Sequence, residues 1–385
     1  MNKKILIPII LVGIVLIILL GSWLMWFLKD EKALNVYILD KTVPTFERTE
    51  HKSFNWILNH NRFTKPNGDL YDINSDYYGF FPLNSKTQEF DFKSIRIHEI
   101  EDVANSTDML YYTDTYGVYY NEWYKKGTKD VKHTQKVYGG LNQNDYLLLK
   151  EMKERNKLII TEFNLYNAPT NGLIREKVEN LFGLKWSGWT GKYFANLDTT
   201  SSKKFPRWIV NLYMEQNNNQ WPFKNAGIVL IHKFGTIAVL EQETHLSEGI
   251  PFIIAKQTAQ ERFGVPELVH YPQWFDVTFA ENPNDVIANF KIHVNSSGDS
   301  ILRHYNLKPI FPAVIEHRND YQFYYFGGDF AENGINSKTA FFEGYHNLIS
   351  LLSADNNKNT SKFYWRFYEP MMTTILNDYY NNLEK

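Results

Sequence analysis

The chain has 385 residues, with 41 Lys and Arg against 43 Asp and Glu and a formal net charge of -2, which gives no electrostatic basis for a nucleic-acid partner. It contains no cysteine. That excludes disulfides, thiolate metal sites, a cysteine-linked lipid anchor and every cysteine-nucleophile mechanism.

Residues 5–28 are almost continuously apolar, interrupted only by Pro8, Gly13, Gly21 and Ser22, and about 20 such residues cross a bilayer as a helix. Apolar bulk from Trp23 to Leu28 follows the small pair Gly21-Ser22, which argues against removal as a signal peptide. Lys3 and Lys4 precede the run, whereas Lys29, Asp30, Glu31 and Lys32 cancel after it. The positive-inside rule therefore makes residues 1–4 a cytoplasmic tip and places the rest outside. The expectation is a single-pass cell-membrane protein with a linker at 29–34, an extracytoplasmic α/β domain over 35–352 and a C-terminal helical extension over 353–385. An inverted anchor with a cytoplasmic domain is the alternative.

Residues 35–40, NVYILD, form a short apolar run ending in a carboxylate and stopped by Pro44; a helix is expected over 47–58, with Glu47 and His51 one turn apart. Residues 59–94 are rich in Gly, Pro, Asn and Asp and read as a long binding loop centred on Tyr77-Tyr78-Gly79-Phe80-Phe81-Pro82. Residues 94–97, SIRI, read as a strand, and 108–114, DMLYYTD, as another ending in Asp114. Asn142 is a good N-cap for a helix over 143–155. The next strand, within 157–164, KLIITEFN, is short and wholly apolar, the pattern of a parallel strand buried on both faces. Glu162 closes it. A helix over 171–182 is capped by Gly183, and the aromatic, glycine-rich stretch 184–194 suits a rim loop. Strand pairs are expected at 228–232 with 236–240 and at 313–316 with 322–326, and a strand at 292–294. The last of the paired runs leads into Gly327-Gly328-Asp329-Phe330. An amphipathic stretch at 339–352 should pack on the sheet, followed by a polar tract at 355–362 and a helix at 365–383.

These pieces resemble the class-I glutamine-amidotransferase-like superfamily in its non-amidotransferase branches, the trehalose-utilisation and gliding-motility-transport types. The likeness rests on the D-x-L-x-x strand Asp108-Met109-Leu110-Tyr111-Tyr112 and on the helix from Leu141 to Arg155 that runs into 157–162. It also rests on Tyr324-Tyr325-Phe326-Gly327-Gly328-Asp329-Phe330 with Asn333, then the stretch through Leu352. It spans 35–352 and implies a doubly wound, mostly parallel sheet, amidotransferase-like or flavodoxin-like, with hairpin additions. True amidotransferases need a cysteine at a strand-to-helix elbow, so the resemblance argues against glutamine hydrolysis. A (β/α)₈ barrel is the minor alternative.

Ligands of open α/β sheets bind outside the carboxyl ends of the strands. Asp40, Asp114, Glu162 and Asp329 all fall there and are the candidate catalytic carboxylates; two facing a sugar suffice for glycoside hydrolysis. Glu47, His51, Tyr116, Tyr78, Trp189 and Gly328 are the candidate ligand-binding residues. Taken singly, each acid is more readily explained as a helix cap or as a partner of Lys41, Arg48 or Lys192; four at four strand ends are harder to explain so. A tight carboxylate cluster could also hold Ca²⁺ or Mg²⁺. No zinc-type His pair, Walker loop, G-x-G-x-x-G or G-x-S-x-G is present, and no cofactor is indicated. Two function classes follow: an envelope protein that binds or processes a glycan, or a non-catalytic scaffold for envelope proteins with a degenerate pocket.

Overall fold

A computed structural model describes residues 3–124, 135–200, 205–353 and 360–383. The elements that position the site are α1 (Lys3–Phe27), β1 (Val36–Asp40), α2 (Thr49–His60), β2 (Tyr78–Asn84), β3 (Met109–Asp114), α3 (Gln143–Glu154), β4 (Leu158–Thr161), α4 (Gly172–Phe182), β5 (Leu184–Phe194), β6 (Gly227–His232), β7 (Ile237–Glu241), β8 (Phe275–Ala280), β9 (Gln322–Phe326), α5 (Tyr345–Leu352) and α6 (Glu369–Leu383).

The main sheet is mixed and has ten strands, in the order 268–270, 252–255, 286–291, 310–317, β9, β4, β3, β1, β2, 89–93. From β9 to β2 the strands are parallel; numbered along the chain, these five lie in the order 2-1-3-4-5. The flanking strands are antiparallel. Every residue of β1, β3 and β4 is buried, because both faces are covered. On one face Ile38, Tyr111 and Ile160 pack with Phe54 and Trp56 of α2 and with Met372 and Leu376 of α6. On the other, Leu39, Leu110 and Ile159 meet Leu148 and Met152 of α3 and Val178 and Phe182 of α4. The sheet is open, which excludes the barrel alternative. The C-terminal segment shares this core, with Tyr364, Tyr368 and Met371 fully buried.

A second, four-stranded antiparallel sheet has the order β7-β6-β5-β8. The 184–194 stretch, expected as a rim loop, is its longest strand, 11 residues; Gly191 lies against the Phe275 ring, where a Cβ would stand 2.4 Å from that ring. Three further expectations are corrected. The long loop at 59–94 contains β2 and its antiparallel neighbour 89–93. Residues 94–97 are not a strand; Ile95 is buried while Ile97 enters a 3₁₀ turn. The strand expected at 292–294 runs instead over Val286–Lys291. The polar tract at 355–362 lies largely outside the described residues, as does the start of the tip at 1–4.

Gly79 explains how β2 escaped the sequence pattern. It pairs with Asp40 at φ +136°, and a Cβ there would stand 1.6 Å from the Asp40 carbonyl oxygen. Gly79→Ala is expected to cost more than about 2 kcal/mol. Gly68, at φ +85° with open space around it, should lose only about 1–2 kcal/mol on the same change. Urea unfolding of the two variants checks the difference.

Helix α1 is long and apolar enough to cross a membrane, as a span or as a signal sequence, and only 6% of its Ile10–Phe27 window is buried. Its last turns dock on the sheet's amino-terminal end: the Trp26 indole N–H donates to the Asn59 carbonyl at 3.0 Å, and Arg62 bonds Glu31 and the Phe27 carbonyl. Because β1 starts at Val36 and runs away from this end, Asp40 and its neighbours sit at the far end from α1.

Candidate functional site

The carboxyl ends of the parallel strands open into a cavity of about 570 Å³. Glu50, Asp114, Asp329 and Glu332 line it with acid, and Trp208, Phe234 and Trp274 supply apolar wall. Phe234 is the tip of the β6–β7 turn and is 82% exposed. The cavity therefore has an acidic side and an aromatic lip.

Asp114 is fixed by local backbone. The Tyr116 N–H donates to its Oδ1 at 2.6 Å, and the Asn164 side-chain amide donates to its Oδ2 at 3.2 Å. Asn164 is itself held in the left-handed region, φ 66°, where its N–H donates to Asp276 Oδ2 at 3.1 Å. Asp276 also accepts from Thr190 Oγ1 at 2.7 Å, so the two sheets are tied together beneath the cavity. Burial raises the pKa of Asp114 to about 7, and the charge of Asp40 adds to the shift. Asp276 is raised to about 7 by burial as well.

The acids of this cleft repel one another. Asp329 is raised well above the carboxylate range by burial first, then by the charge of Glu332 and a hydrogen bond with it, with Lys192 opposing. Glu50 is raised by burial and by the charges of Asp329, Asp114 and Glu332. Lys192, whose ammonium lies 5.2 Å from the centre of the Trp274 ring, is pushed down by burial and drawn up by Asp329 and Glu332. At neutral pH such a cluster keeps protons on some carboxyls and charge on others. Among the described residues no three His, Asp or Glu side chains form a group able to hold a metal ion. The acids are disposed around the cavity.

Two of the four expected strand-end acids are engaged elsewhere. Asp40 is fully buried and lies 2.6 Å from His51 Nδ1, while His51 Nε2 faces the Ile73 carbonyl at 3.0 Å. Both ring nitrogens face oxygens, so the ring bridges the Asp40 carboxyl and the Ile73 backbone. Glu162 is 2% exposed and caged by Tyr111 OH at 2.7 Å, by Tyr368 OH and by the Ala331 N–H at 3.1 Å. Burial pushes its pKa up to about 8. Neither lines the cavity.

Of the expected ligand-binding residues, Tyr116 lines the cavity. Glu47 does not; it is exposed and precedes α2, which starts at Thr49. Tyr78 stacks on Tyr37 at 4.1 Å. Trp189 is buried beside Tyr305, although its neighbour Thr190 reaches the cavity. Gly328 serves packing, since a Cβ would stand 2.5 Å from the Phe330 ring and 2.7 Å from Tyr271 OH. Of the lining residues, Glu50, Glu332 and Trp208 were not singled out, and Lys192 was named only as a partner for the acids. Glu50 and Glu332 could have been, each being an acid a short way past a strand end already marked by an acid.

Fold and cleft together define a mixed α/β protein with a carboxyl-lined cavity at its strand ends, preceded by one apolar helix. No family model matches the chain, and no curated protein matches it. Among solved structures it is similar to a ThuA-like protein from Parabacteroides merdae, at 9% identity over 77% of this chain and 79% of that one, TM-score 0.33. It is also similar to a ThuA-like protein from Bacteroides uniformis, at 10% identity over 86% and 98%, TM-score 0.35.

Proposed function

We propose that the protein is anchored in the cell membrane by α1 and engages an envelope glycan in the strand-end cavity on the outer side. The observation that carries the reading is the pairing of acids from separate segments, Glu50, Asp114, Asp329 and Glu332, with the aromatic wall of one open cavity. Sugars present hydroxyls in the ring plane and C–H groups on the ring faces. Carboxyls accept from the first and aromatic rings stack on the second. Asp329, whose pKa is raised by burial and by the neighbouring Glu332, is the group suited to proton donation at a glycosidic oxygen. The 2-1-3-4-5 strand order supports the amidotransferase-like or flavodoxin-like reading of the parallel block, whose switch point lies between β1 and β3. Asp114 ends one of those strands, and Glu50 follows the other.

Full-length protein in nanodiscs, screened on an array of envelope polysaccharides, tests this. Trp274→Ala and Asp114→Asn are each expected to weaken binding about tenfold, roughly 1.4 kcal/mol. Leu83→Ala, on exposed surface of β2, should leave it unchanged. Product analysis of the bound glycan, with Asp329→Asn as the comparison, reads cleavage separately. Absence of any bound glycan overturns the reading. The exposed Phe234 tip then favours the second one, a protein-binding scaffold.

A further inference from the structure

We propose that α5 is a second membrane contact, an amphipathic helix lying in the headgroup layer beside the exit of α1 with its leucines in the acyl boundary. The inference rests on the reading of α1 as a membrane span.

The sequence of α5 is YHNLISLL. Tyr345 and Ile349 pack against the core, whereas Leu348, Leu351 and Leu352 are 55%, 76% and 67% exposed. At spacings of three and four residues these leucines form one stripe on the helix. The expected amphipathic stretch at 339–352 is thus broken at Gly344, φ +78°, and its second half turns leucines away from the sheet.

Its height relative to α1 is set by hydrogen bonds. The Glu343 N–H donates to the Ser22 carbonyl at 3.1 Å, and Ser22 Oγ donates to the Glu343 carbonyl at 2.8 Å. The Glu343 carboxylate pairs with Lys29. Ser22 lies five residues before the end of α1 at Phe27, about 7–8 Å along the axis. The helix that starts two residues after Glu343 therefore lies level with the last turns of the apolar run, where acyl chains give way to headgroups. Trp23, 40% exposed, marks the same level, as interfacial tryptophans do. The far end of α5 is pinned by Arg366, whose Nε and Nη2 donate to the Ser350 carbonyl at 3.1 and 2.9 Å. Behind α5 lies a polar groove of about 620 Å³ lined by Lys29, His60, Glu343, His346 and Arg366. Charge of both signs on one side of the helix and leucine on the other is the arrangement of an interfacial helix.

The absence of cysteine makes single-site nitroxide labelling direct. Leu16→Cys, Leu351→Cys and Leu83→Cys, all at exposed positions, are labelled in the full-length chain reconstituted in phosphatidylcholine–phosphatidylglycerol vesicles, and accessibility to oxygen and to a nickel chelate is measured. The label at 351 is expected to lose nickel accessibility and gain oxygen accessibility relative to 83, at a shallower depth than 16. A label at 16 in lipid with nickel-accessible 351 overturns the proposal and leaves the span intact. Protection of 351 from both reagents assigns the stripe to a protein partner and overturns it too. Nickel access at 16 removes the span and the proposal together.

Discussion

Glu162→Gln is expected to be more stable than the unaltered protein at pH 8, whereas Glu162→Ala should lose about 3–5 kcal/mol at pH 5 and less as pH rises. The carboxyl is enclosed by Tyr111, Tyr368 and the Ala331 N–H. Removing it strands those donors and opens a void, while glutamine reproduces the neutral acid. The pH dependence follows from its folded pKa of about 8 against an ordinary 4.5. Below 4.5 both folded and unfolded chains are protonated there. Between 4.5 and 8 only the folded chain holds the proton, so stability falls with rising pH by up to about 1.4 kcal/mol per unit. Above 8 both forms are ionised and the loss is complete. Asp114 and Asp276, each raised to about 7, add declines of the same sign that end near pH 7. Thermal unfolding from pH 5 to 8 should therefore show a falling midpoint, shallower in Glu162→Gln. A midpoint that rises over this window would contradict the cage.

The second large effect is at the buried pair. His51→Ala should destabilise the protein by about 3–5 kcal/mol, because it leaves the fully buried Asp40 without its ring partner and opens a void. Asp40→Asn keeps the Thr42 N–H bond, made at 2.9 Å, and a contact to the ring, so it should cost less. The two changes are not expected to add, and a double-mutant cycle on urea unfolding measures the coupling. Had the pair belonged to the binding machinery, the single variants would lose ligand affinity out of proportion to stability.

What was legible in the sequence follows the chemistry of burial. β1, β3 and β4 were readable because strands covered on both faces must be apolar throughout, and Asn142 and Gly183 marked helix ends because cap geometry restricts residue choice. β2 was hidden by Gly79 and Pro82, which punctuate loops in most sequences; only the neighbouring Asp40 carbonyl explains the glycine. β5 was hidden for a related reason, since Trp186, Gly188 and Gly191 fit both a rim loop and a strand pressed against Phe275. The site was half legible. Strand-end position singled out Asp114 and Asp329, but it does not distinguish an acid that faces a cavity from one that turns inward. Asp40 and Glu162 turn inward because His51, Tyr111 and Tyr368 are brought to them by α2, β3 and the C-terminal segment. The two tyrosine contacts are long-range, 51 and 206 residues apart in the chain, and no local pattern encodes them.

The gathering of acids from separate segments around one cavity is tested most directly by counting carboxyl protons at pH 7 through infrared difference spectra of the full-length protein and Asp329→Asn. The predicted result is protonated-carboxyl absorption at pH 7 that Asp329→Asn diminishes, with the contribution of Glu162 remaining, together with a shift in the titration of the remaining cleft acids. Identical spectra for the two proteins at pH 7, with no carboxyl band lost and no shift in the titration, would mean that these side chains sit apart in water and that the cleft is not a coupled acidic site.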